Sequence, residues 1–250
     1  MAYARRMSGP DQFSHHGAVL AHRFLPGRGP LIVFLPGYMS DMTGSKAVAL
    51  ADWARTEGRA MLRLDYSGCG ASGGAFLDGS IGRWTEDALA LIQHVWPQGP
   101  VLLVGSSMGG WIALLAGLRL KDRLAGLVGI AAAPDFTVWG LTLGEAERRQ
   151  LDKQGFFTRP SDYGEPYRYS RALIADAPAR LLLDGQIGIT APVRLLHGMA
   201  DDAVPWRLSL DIAARIVGSD VQVRLIKDGD HRLSREADIA ALIAGVEELL

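Results

Sequence analysis

The stretch VLLVGSSMGGWIALLAG, residues 101–117, decides the fold prediction. It begins with four apolar residues, continues through Gly105-Ser106-Ser107-Met108-Gly109, and ends in an apolar run rich in Ala and Leu. This order predicts a buried strand, a sharp turn and a helix. In a G-x-S-x-G turn the small flanking residues let the strand and the helix approach closely, which exposes the central serine hydroxyl above the sheet. Ser107 is therefore the candidate nucleophile.

Strand and helix patterns alternate on both sides of this stretch. The runs LIVFL (31–35) and PVRLLH (192–197) have the continuous apolar character of strands that are buried on both faces of a parallel sheet. Residues 45–57 and 83–95 show apolar side chains at helical spacing. We therefore expect a single α/β domain over residues 1–250, with a mostly parallel central sheet flanked by helices.

The alternation stops after Pro134 and resumes only at residue 192. We expect a small helical cap here, an insertion over about 135–190 with helices at 143–154 and 171–184. Its aromatic side chains either form an apolar pocket or pack the insertion onto the sheet, and both interpretations stay open. The loop between the helices contains Phe156, Phe157, Pro160, Tyr163, Pro166, Tyr167 and Tyr169. Four arginines of the insertion are more typical of a solvated helix face than of a carboxylate site: Arg148, Arg149, Arg168 and Arg171.

Composition bears on which partners and which cellular compartment we expect. A formal charge of −1 over 250 residues gives no electrostatic reason to expect a nucleic-acid partner. No run of 18 uncharged apolar residues is present, so we expect no stable membrane insertion. The single cysteine, Cys69, excludes an internal disulfide and favours a reducing compartment. Residues 1–16 contain Arg5 and Arg6 but no apolar h-region, and we expect a cytoplasmic location.

Two other glycine-rich motifs overlap at residues 68–74. The sequence GASGG at 70–74 matches G-x-S-x-G around Ser72, and GCGASG at 68–73 matches the dinucleotide fingerprint G-x-G-x-x-G. Both motifs require a helix directly after the glycines, and the following AFLDGS has no helical pattern. We interpret this segment as a structural turn in which Cys69 is a small buried side chain.

A serine nucleophile needs a base, and histidine is the side chain that titrates near neutral pH. His231 follows the last predicted strand, at the carboxyl end where ligands meet open α/β sheets, and is our candidate base. The other five histidines are interpreted as surface or structural residues: His15, His16, His22, His94 and His197.

The acid that orients the base should come from the loop after the preceding strand. That loop, HGMADDAVP (197–205), offers both Asp201 and Asp202. The expected oxyanion donors are the backbone N–H of Met108, at the start of the helix, and that of Tyr38, after the strand at 31–35.

Together these motifs resemble the α/β-hydrolase superfamily over essentially the whole chain. The matching segments are LPGY (35–38), DYSGCGASGG (65–74), GSSMGG (105–110), HGMADDAVPW (197–206) and GDHR (229–232). Within the family's H-G-x-x-D-x-x-V-P pattern the acid is Asp201. The double aspartate before Val-Pro-Trp, and the Asp-His-Arg segment, are similar to the branch that contains a mitochondrial depalmitoylating esterase, which also cleaves acyl glucuronides.

The resemblance implies a serine hydrolase that cleaves carboxylic esters or thioesters of small acyl substrates. The implied triad is Ser107, Asp201 and His231, with Tyr38 and Met108 as oxyanion donors and no metal or cofactor. Since one scaffold hosts several activities, an acyltransferase, a peptidase and a non-catalytic acyl-binding protein are the alternatives.

Overall fold

Ten strands are found in the part of the chain that the computed structural model describes, residues 9–161 and 164–250. Arg5, Arg6 and Tyr163 lie outside the described residues. The strands are β1 (Asp11–His15), β2 (Ala18–Leu25), β3 (Arg28–Leu35), β4 (Arg59–Leu64), β5 (Val101–Ser106), β6 (Leu124–Ile130), β7 (Phe156–Arg159), β8 (Tyr167–Ser170), β9 (Val193–Gly198) and β10 (Val221–Ile226).

Eight of these strands form one central sheet in the order β1-β2-β4-β3-β5-β6-β9-β10. The pairs β1–β2 and β2–β4 are antiparallel, and all pairs from β4 onward are parallel. The predicted mostly parallel sheet of an α/β fold is confirmed.

Helices cover both faces of this sheet, as β3 illustrates. Leu31, Val33 and Leu35 belong to an apolar cluster with side chains of α2 and α3, whereas Ile32 and Phe34 belong to a second cluster with α1 and α8. A strand covered on both faces buries all its side chains, which explains the continuous apolar runs. The helices are α1 (Ser45–Thr56), α2 (Ile81–Val95), α3 (Met108–Leu120), α4 (Phe136–Trp139), α5 (Glu145–Gln154), α6 (Arg171–Asp176), α7 (Arg207–Arg215) and α8 (Glu236–Glu247). None of the helices within residues 9–161 and 164–250 has the length and apolarity needed to cross a bilayer.

Some elements differ from the sequence-based expectation. Strand β1 forms an antiparallel hairpin with β2 at the sheet edge, and β7 and β8 form a separate two-stranded sheet where a loop was expected. Strands β1, β7 and β8 have only four or five residues, too few for a period-two pattern to stand out. The helix expected at 171–184 ends as α6 at Asp176 and continues only as a short 3₁₀ turn, because Pro178 has no N–H to donate.

The residues between β6 and β9 form an insertion that contains α4, α5, β7, β8 and α6. The buried carboxylate of Asp135 ties its two ends together, because it accepts hydrogen bonds from the backbone N–H groups of Leu182 at 3.0 Å and Leu183 at 2.8 Å. Asp176 accepts a further bond, of 2.6 Å, from the N–H of Gly82 in the first turn of α2. Leaving such a donor unsatisfied in the interior costs about 1–3 kcal/mol, so these bonds hold the insertion on the sheet domain.

Candidate active site

Ser107 is the single residue between β5 and α3, and its backbone is left-handed, with φ 54° and ψ −119°. For a residue other than glycine this conformation costs about 1–3 kcal/mol. The Ser107 N–H donates to the carbonyl of Ile130 at 2.9 Å, and the Ser107 carbonyl accepts from the N–H of Ala133 at 3.1 Å. Because both partners lie at the end of β6 and just after it, the neighbouring strand holds the strained turn in place.

The glycines around Ser107 are required by close backbone contacts. A Cβ added to Gly105 would lie 2.2 Å from the carbonyl oxygen of Gly109, and one added to Gly109 would lie 2.1 Å from that of Leu35. No side chain fits at these distances, so α3 can approach β3 and β5 only with glycine at both positions. The strand, turn and helix predicted at 101–117 are present.

Asp201 and His231 lie in the loops that follow β9 and β10, and their side chains are hydrogen-bonded. Asp201 Oδ2 is 2.8 Å from His231 Nδ1. Asp201 Oδ1 accepts the backbone N–H groups of Ala203 at 2.9 Å and Val204 at 2.8 Å. Asp202 is exposed to solvent, and the carboxylate that the structure brings to His231 is that of Asp201.

The surroundings of Asp201 keep it ionised. Burial alone would raise the pKa of this carboxyl group, but hydrogen bonds from His197 and His231 outweigh burial and hold the pKa of Asp201 well below its ordinary value. Asp201 therefore accepts a hydrogen bond from the His231 ring whether that ring is neutral or protonated.

A second histidine contacts the same carboxylate. His197, at the end of β9, is fully buried, and its Nε2 lies 3.2 Å from Asp201 Oδ2. The sequence-based interpretation of His197 as structural left this contact out. The sequence does contain one indication of this contact. His197 lies four residues before Asp201, and the turn after the strand brings the two side chains together.

The predicted oxyanion donors line the same cavity as Ser107 and His231. Met108 begins α3, so its N–H has no acceptor within the helix and lies at the positive end of the helix dipole. Tyr38 follows Gly37, and a Cβ added to Gly37 would lie only 3.4 Å from the Cβ of Ser107. The loop after β3 therefore passes directly beside the candidate nucleophile.

The cavity has a volume of about 400 Å³ and a lining with two characters. Its apolar part includes the insertion residues Phe136, Trp139, Leu141, Tyr167 and Tyr169. Its polar part includes Ser40, Asp41, Ser45, Lys46, Glu165 and Arg232. The described lining residues do not include any of the four arginines of the insertion considered above; Arg149, for example, pairs with Glu145 on the exposed side of α5 at 3.3 Å.

Some aromatic residues of the insertion line the cavity, and others pack in the interior of the protein. Tyr167 and Tyr169 line the cavity, whereas Phe157 is fully buried and stacks on Tyr169 with ring centroids 5.2 Å apart. The Tyr169 ring also stacks on Tyr38 at 5.2 Å, and the Tyr38 hydroxyl donates to the carbonyl of Arg168. Tyr38 thus connects the candidate oxyanion loop to the insertion.

The glycine-rich segment at 68–74 has a structural role, as predicted. The Ser72 hydroxyl accepts from the N–H of Ala21 at 2.8 Å and donates to the carbonyl of Asp65 at 2.7 Å. Gly70 has a φ of +51°, and a Cβ there would lie 2.2 Å from the Asp65 carboxylate. Cys69 is buried, and this burial raises the pKa of its thiol to about 12.

Lys46 belongs to the site although no sequence motif identifies it. It lies in the first turn of α1, lines the cavity, and donates a hydrogen bond to the carbonyl of Arg232, the residue after His231. Burial, with a smaller contribution from Arg232, lowers the pKa of Lys46 to about 8. The cavity therefore contains a poorly solvated ammonium group beside the His231 loop.

Comparison with known proteins identifies relatives whose alignments cover nearly the whole chain. A sequence family described as serine aminopeptidase S33 matches residues 29–143. The mouse mitochondrial palmitoyl-protein thioesterase ABHD10 is 42% identical over 92% of this chain and 78% of its own. A putative hydrolase from Agrobacterium vitis S4 superimposes with a TM-score of 0.90 at 40% identity, over 96% of this chain and 97% of its own. The structure of mouse ABHD10 gives a TM-score of 0.88 at 39% identity, over 97% and 98% of the two chains.

These relatives contradict the expected cytoplasmic location. The mouse, rat, bovine and human ABHD10 proteins that the chain matches are all named as mitochondrial. The expectation was wrong because an apolar h-region is a mark of secretion, and its lack does not separate the cytoplasm from other compartments.

The lowered pKa of Lys46 leads to a prediction about stability. Below pH 8 the folded protein carries a poorly solvated ammonium group, so Lys46→Met should raise the free energy of unfolding at pH 7. Between pH 8 and pH 10 the gain should shrink, because the folded wild type loses that proton while the unfolded chain keeps it.

Urea denaturation of both proteins across pH 7 to pH 10 measures this difference. Lys153→Met, at an exposed position of α5, is the matched control and should show no such pH dependence. A Lys46→Met variant whose stability relative to wild type is the same at every pH would contradict the prediction.

Proposed function

The chain belongs to the α/β-hydrolase family that contains the ABHD10 palmitoyl-protein thioesterases and is a hydrolytic enzyme, and we propose that it cleaves thioesters or carboxylic esters through an acyl-enzyme on Ser107. One observation carries the proposal. The strained Ser107 turn and His231 come from distant parts of the chain to line a single cavity, and His231 Nδ1 lies 2.8 Å from the buried Oδ2 of Asp201.

Ser107 acts as the nucleophile in this proposal. The serine hydroxyl is a weak nucleophile at neutral pH, so His231 Nε2 accepts its proton as Oγ attacks the acyl carbon. Asp201 accepts the hydrogen bond from His231 Nδ1–H and stabilises the imidazolium that forms. The carbon–sulfur or carbon–oxygen bond then breaks, and His231 returns the proton to the leaving thiolate or alkoxide. The products of this half-reaction are the free thiol or alcohol and the acyl-Ser107 ester.

The oxyanion of each tetrahedral intermediate lies at the N-terminus of α3. There the N–H of Met108 and the N–H of Tyr38 donate to it, and the helix dipole adds to their effect. Removing one such donor typically costs about 10²–10³-fold in kcat. Water then attacks the acyl-enzyme with His231 as base, which releases the carboxylic acid and restores Ser107.

The insertion serves as a cap that binds the acyl group. Aromatic and aliphatic side chains from the insertion contribute to the apolar part of the cavity, which suits a hydrocarbon chain. Because Tyr38 is hydrogen-bonded to the Arg168 carbonyl and stacked on Tyr169, the position of the cap and that of the oxyanion loop depend on each other.

Ester or thioester cleavage is favoured over peptide cleavage. The family match described as a serine aminopeptidase ends at residue 143, before most of the insertion and before Asp201 and His231. The relatives aligned over 92% of the chain are named as thioesterases. Substrate choice depends on the cap, so the thioesterase relatives are the closer guide to substrate class.

Replacing the candidate nucleophile tests the proposal. Ser107→Ala should lower kcat for p-nitrophenyl esters by about 10⁴–10⁶-fold and abolish labelling by a fluorophosphonate probe, with the fold intact by circular dichroism.

Ser72→Ala is the matched control, since it alters the other G-x-S-x-G motif. It should keep labelling and turnover, with a lower Tm because Ser72 bridges Ala21 and Asp65. Near-normal activity in Ser107→Ala, or loss of labelling in folded Ser72→Ala, would refute the assignment.

The apolar cap predicts a preference in acyl length. A series of p-nitrophenyl esters from acetate to palmitate should show kcat/KM rising to medium-length acyl chains, because each methylene that enters the pocket adds about 0.8 kcal/mol of burial. Tyr169→Ala should weaken this preference. A flat profile, or one that favours acetate alone, would count against an acyl-binding cap.

A further inference from the structure

His197 is buried at the end of β9, and each nitrogen of its ring faces a partner. Nε2 lies 3.2 Å from Asp201 Oδ2 and 3.1 Å from the carbonyl oxygen of Val204. Nδ1 lies 2.7 Å from the hydroxyl of Ser209, which is itself buried on α7. The side chains of Ser209, His197, Asp201 and His231 therefore form one continuous hydrogen-bonded row.

The partners determine the tautomer of His197. The Asp201 carboxylate and the Val204 carbonyl can only accept hydrogen bonds, so Nε2 must carry the proton and donate to them. The Ser209 hydroxyl can then donate to the lone pair of Nδ1. This neutral ring satisfies both nitrogens and avoids a second buried charge, which would be costly.

The row also completes the hydrogen bonding of Asp201. A carboxylate has about four lone-pair sites. Two are taken by the backbone N–H groups of Ala203 and Val204 on Oδ1, and two by the rings of His197 and His231 on Oδ2. Because donors approach from four directions, the carboxylate cannot rotate without losing one of them.

We propose that His197 and Ser209 are positioning residues that act through Asp201: Ser209 fixes the tautomer of His197, and His197 holds Oδ2 towards His231 while taking up part of its negative charge. This inference rests on the proposed function, in which His231 is the base. In this proposal His197 at the end of β9 and Ser209 on α7 help to set the basicity of His231.

The sharing of Oδ2 has a measurable consequence. With His197 donating to the same oxygen, Asp201 stabilises the His231 imidazolium less than an unshared carboxylate would. Removing the His197 donor should therefore move the acid midpoint of kcat/KM to higher pH, and kcat should fall because the Asp201 carboxylate is no longer held towards His231. Asp201 is hydrogen-bonded to His231, and Asp230 and Arg232 flank it in the chain. The charged residues Asp41, Lys46 and Glu165 line the same cavity, and the variants leave all these groups unchanged.

Three variants separate positioning from structural support. His197→Leu removes the donor to Asp201, whereas His197→Gln keeps an amide N–H near the position of Nε2. Ser209→Ala keeps the His197 ring but removes the hydroxyl that fixes its tautomer. Each is assayed for kcat and KM on a p-nitrophenyl ester from pH 5 to pH 9, for Tm, and by ¹⁵N NMR of labelled histidines.

We expect kcat of His197→Leu to fall by about 10–100-fold with little change in KM. The acid midpoint of kcat/KM and the NMR titration of His231 should both move to higher pH. His197→Gln should restore the wild-type midpoint, and Ser209→Ala should shift it in the same direction as His197→Leu by a smaller amount. Wild-type His197 should show a neutral ring protonated at Nε2.

If His197→Leu does not fold, Ser209→Ala decides the question. An unchanged His231 titration in the folded variants, or a loss of activity that follows Tm alone, would overturn the proposal. The NMR titration does not require turnover, so it tests this inference even if Ser107→Ala proves active and the proposed function fails.

Discussion

The approach of α3 to the ends of β3 and β5 is the constraint on which the rest of the site depends. Gly109 meets the Leu35 carbonyl with no room for a Cβ, and at this close approach the backbone of Ser107 is left-handed, with a φ of 54°. In the sheet, Leu35 is paired with Gly105, so the loop after β3 and the N-terminus of α3 meet at one place. The serine hydroxyl and the two candidate oxyanion donors are thus brought together by backbone packing.

The order of the parallel strands brings Asp201 and His231 to the same edge of the sheet as Ser107. The carboxyl ends of β5, β6, β9 and β10 lie along one edge of the sheet, so loops distant in sequence become neighbours. The end of β6 holds the backbone of Ser107, and the loops after β9 and β10 bring Asp201 to His231. In the proposed mechanism Ser107 attacks the acyl carbon, His231 transfers the proton and Asp201 orients His231, to which it is hydrogen-bonded at 2.8 Å.

The fold, the Ser107 turn and the position of His231 after the last strand could be predicted because each depends on a local pattern. Strands buried on both faces leave continuous apolar runs, and close packing leaves glycines at fixed spacing. The choice between Asp201 and Asp202 came from family resemblance, since adjacent loop residues have no periodicity that tells them apart. What could not be predicted depends on contacts across the chain: Lys46 meets Arg232 across 186 positions, and Tyr38 meets Arg168 across 130. The packing of the segment between β6 and β9 could not be predicted either, because its aromatic residues divide between buried packing and cavity lining.

The central claim is that an acyl group is transferred to Ser107, and trapping that intermediate tests it most directly. The protein is mixed with a p-nitrophenyl ester or an acyl thioester, quenched in acid within the first turnover, digested, and mapped by mass spectrometry. The account predicts an acyl adduct on the peptide that contains Ser107, and its loss on the time scale of turnover. An adduct on another residue, or turnover with no adduct at Ser107 under conditions where deacylation limits the rate, would contradict it.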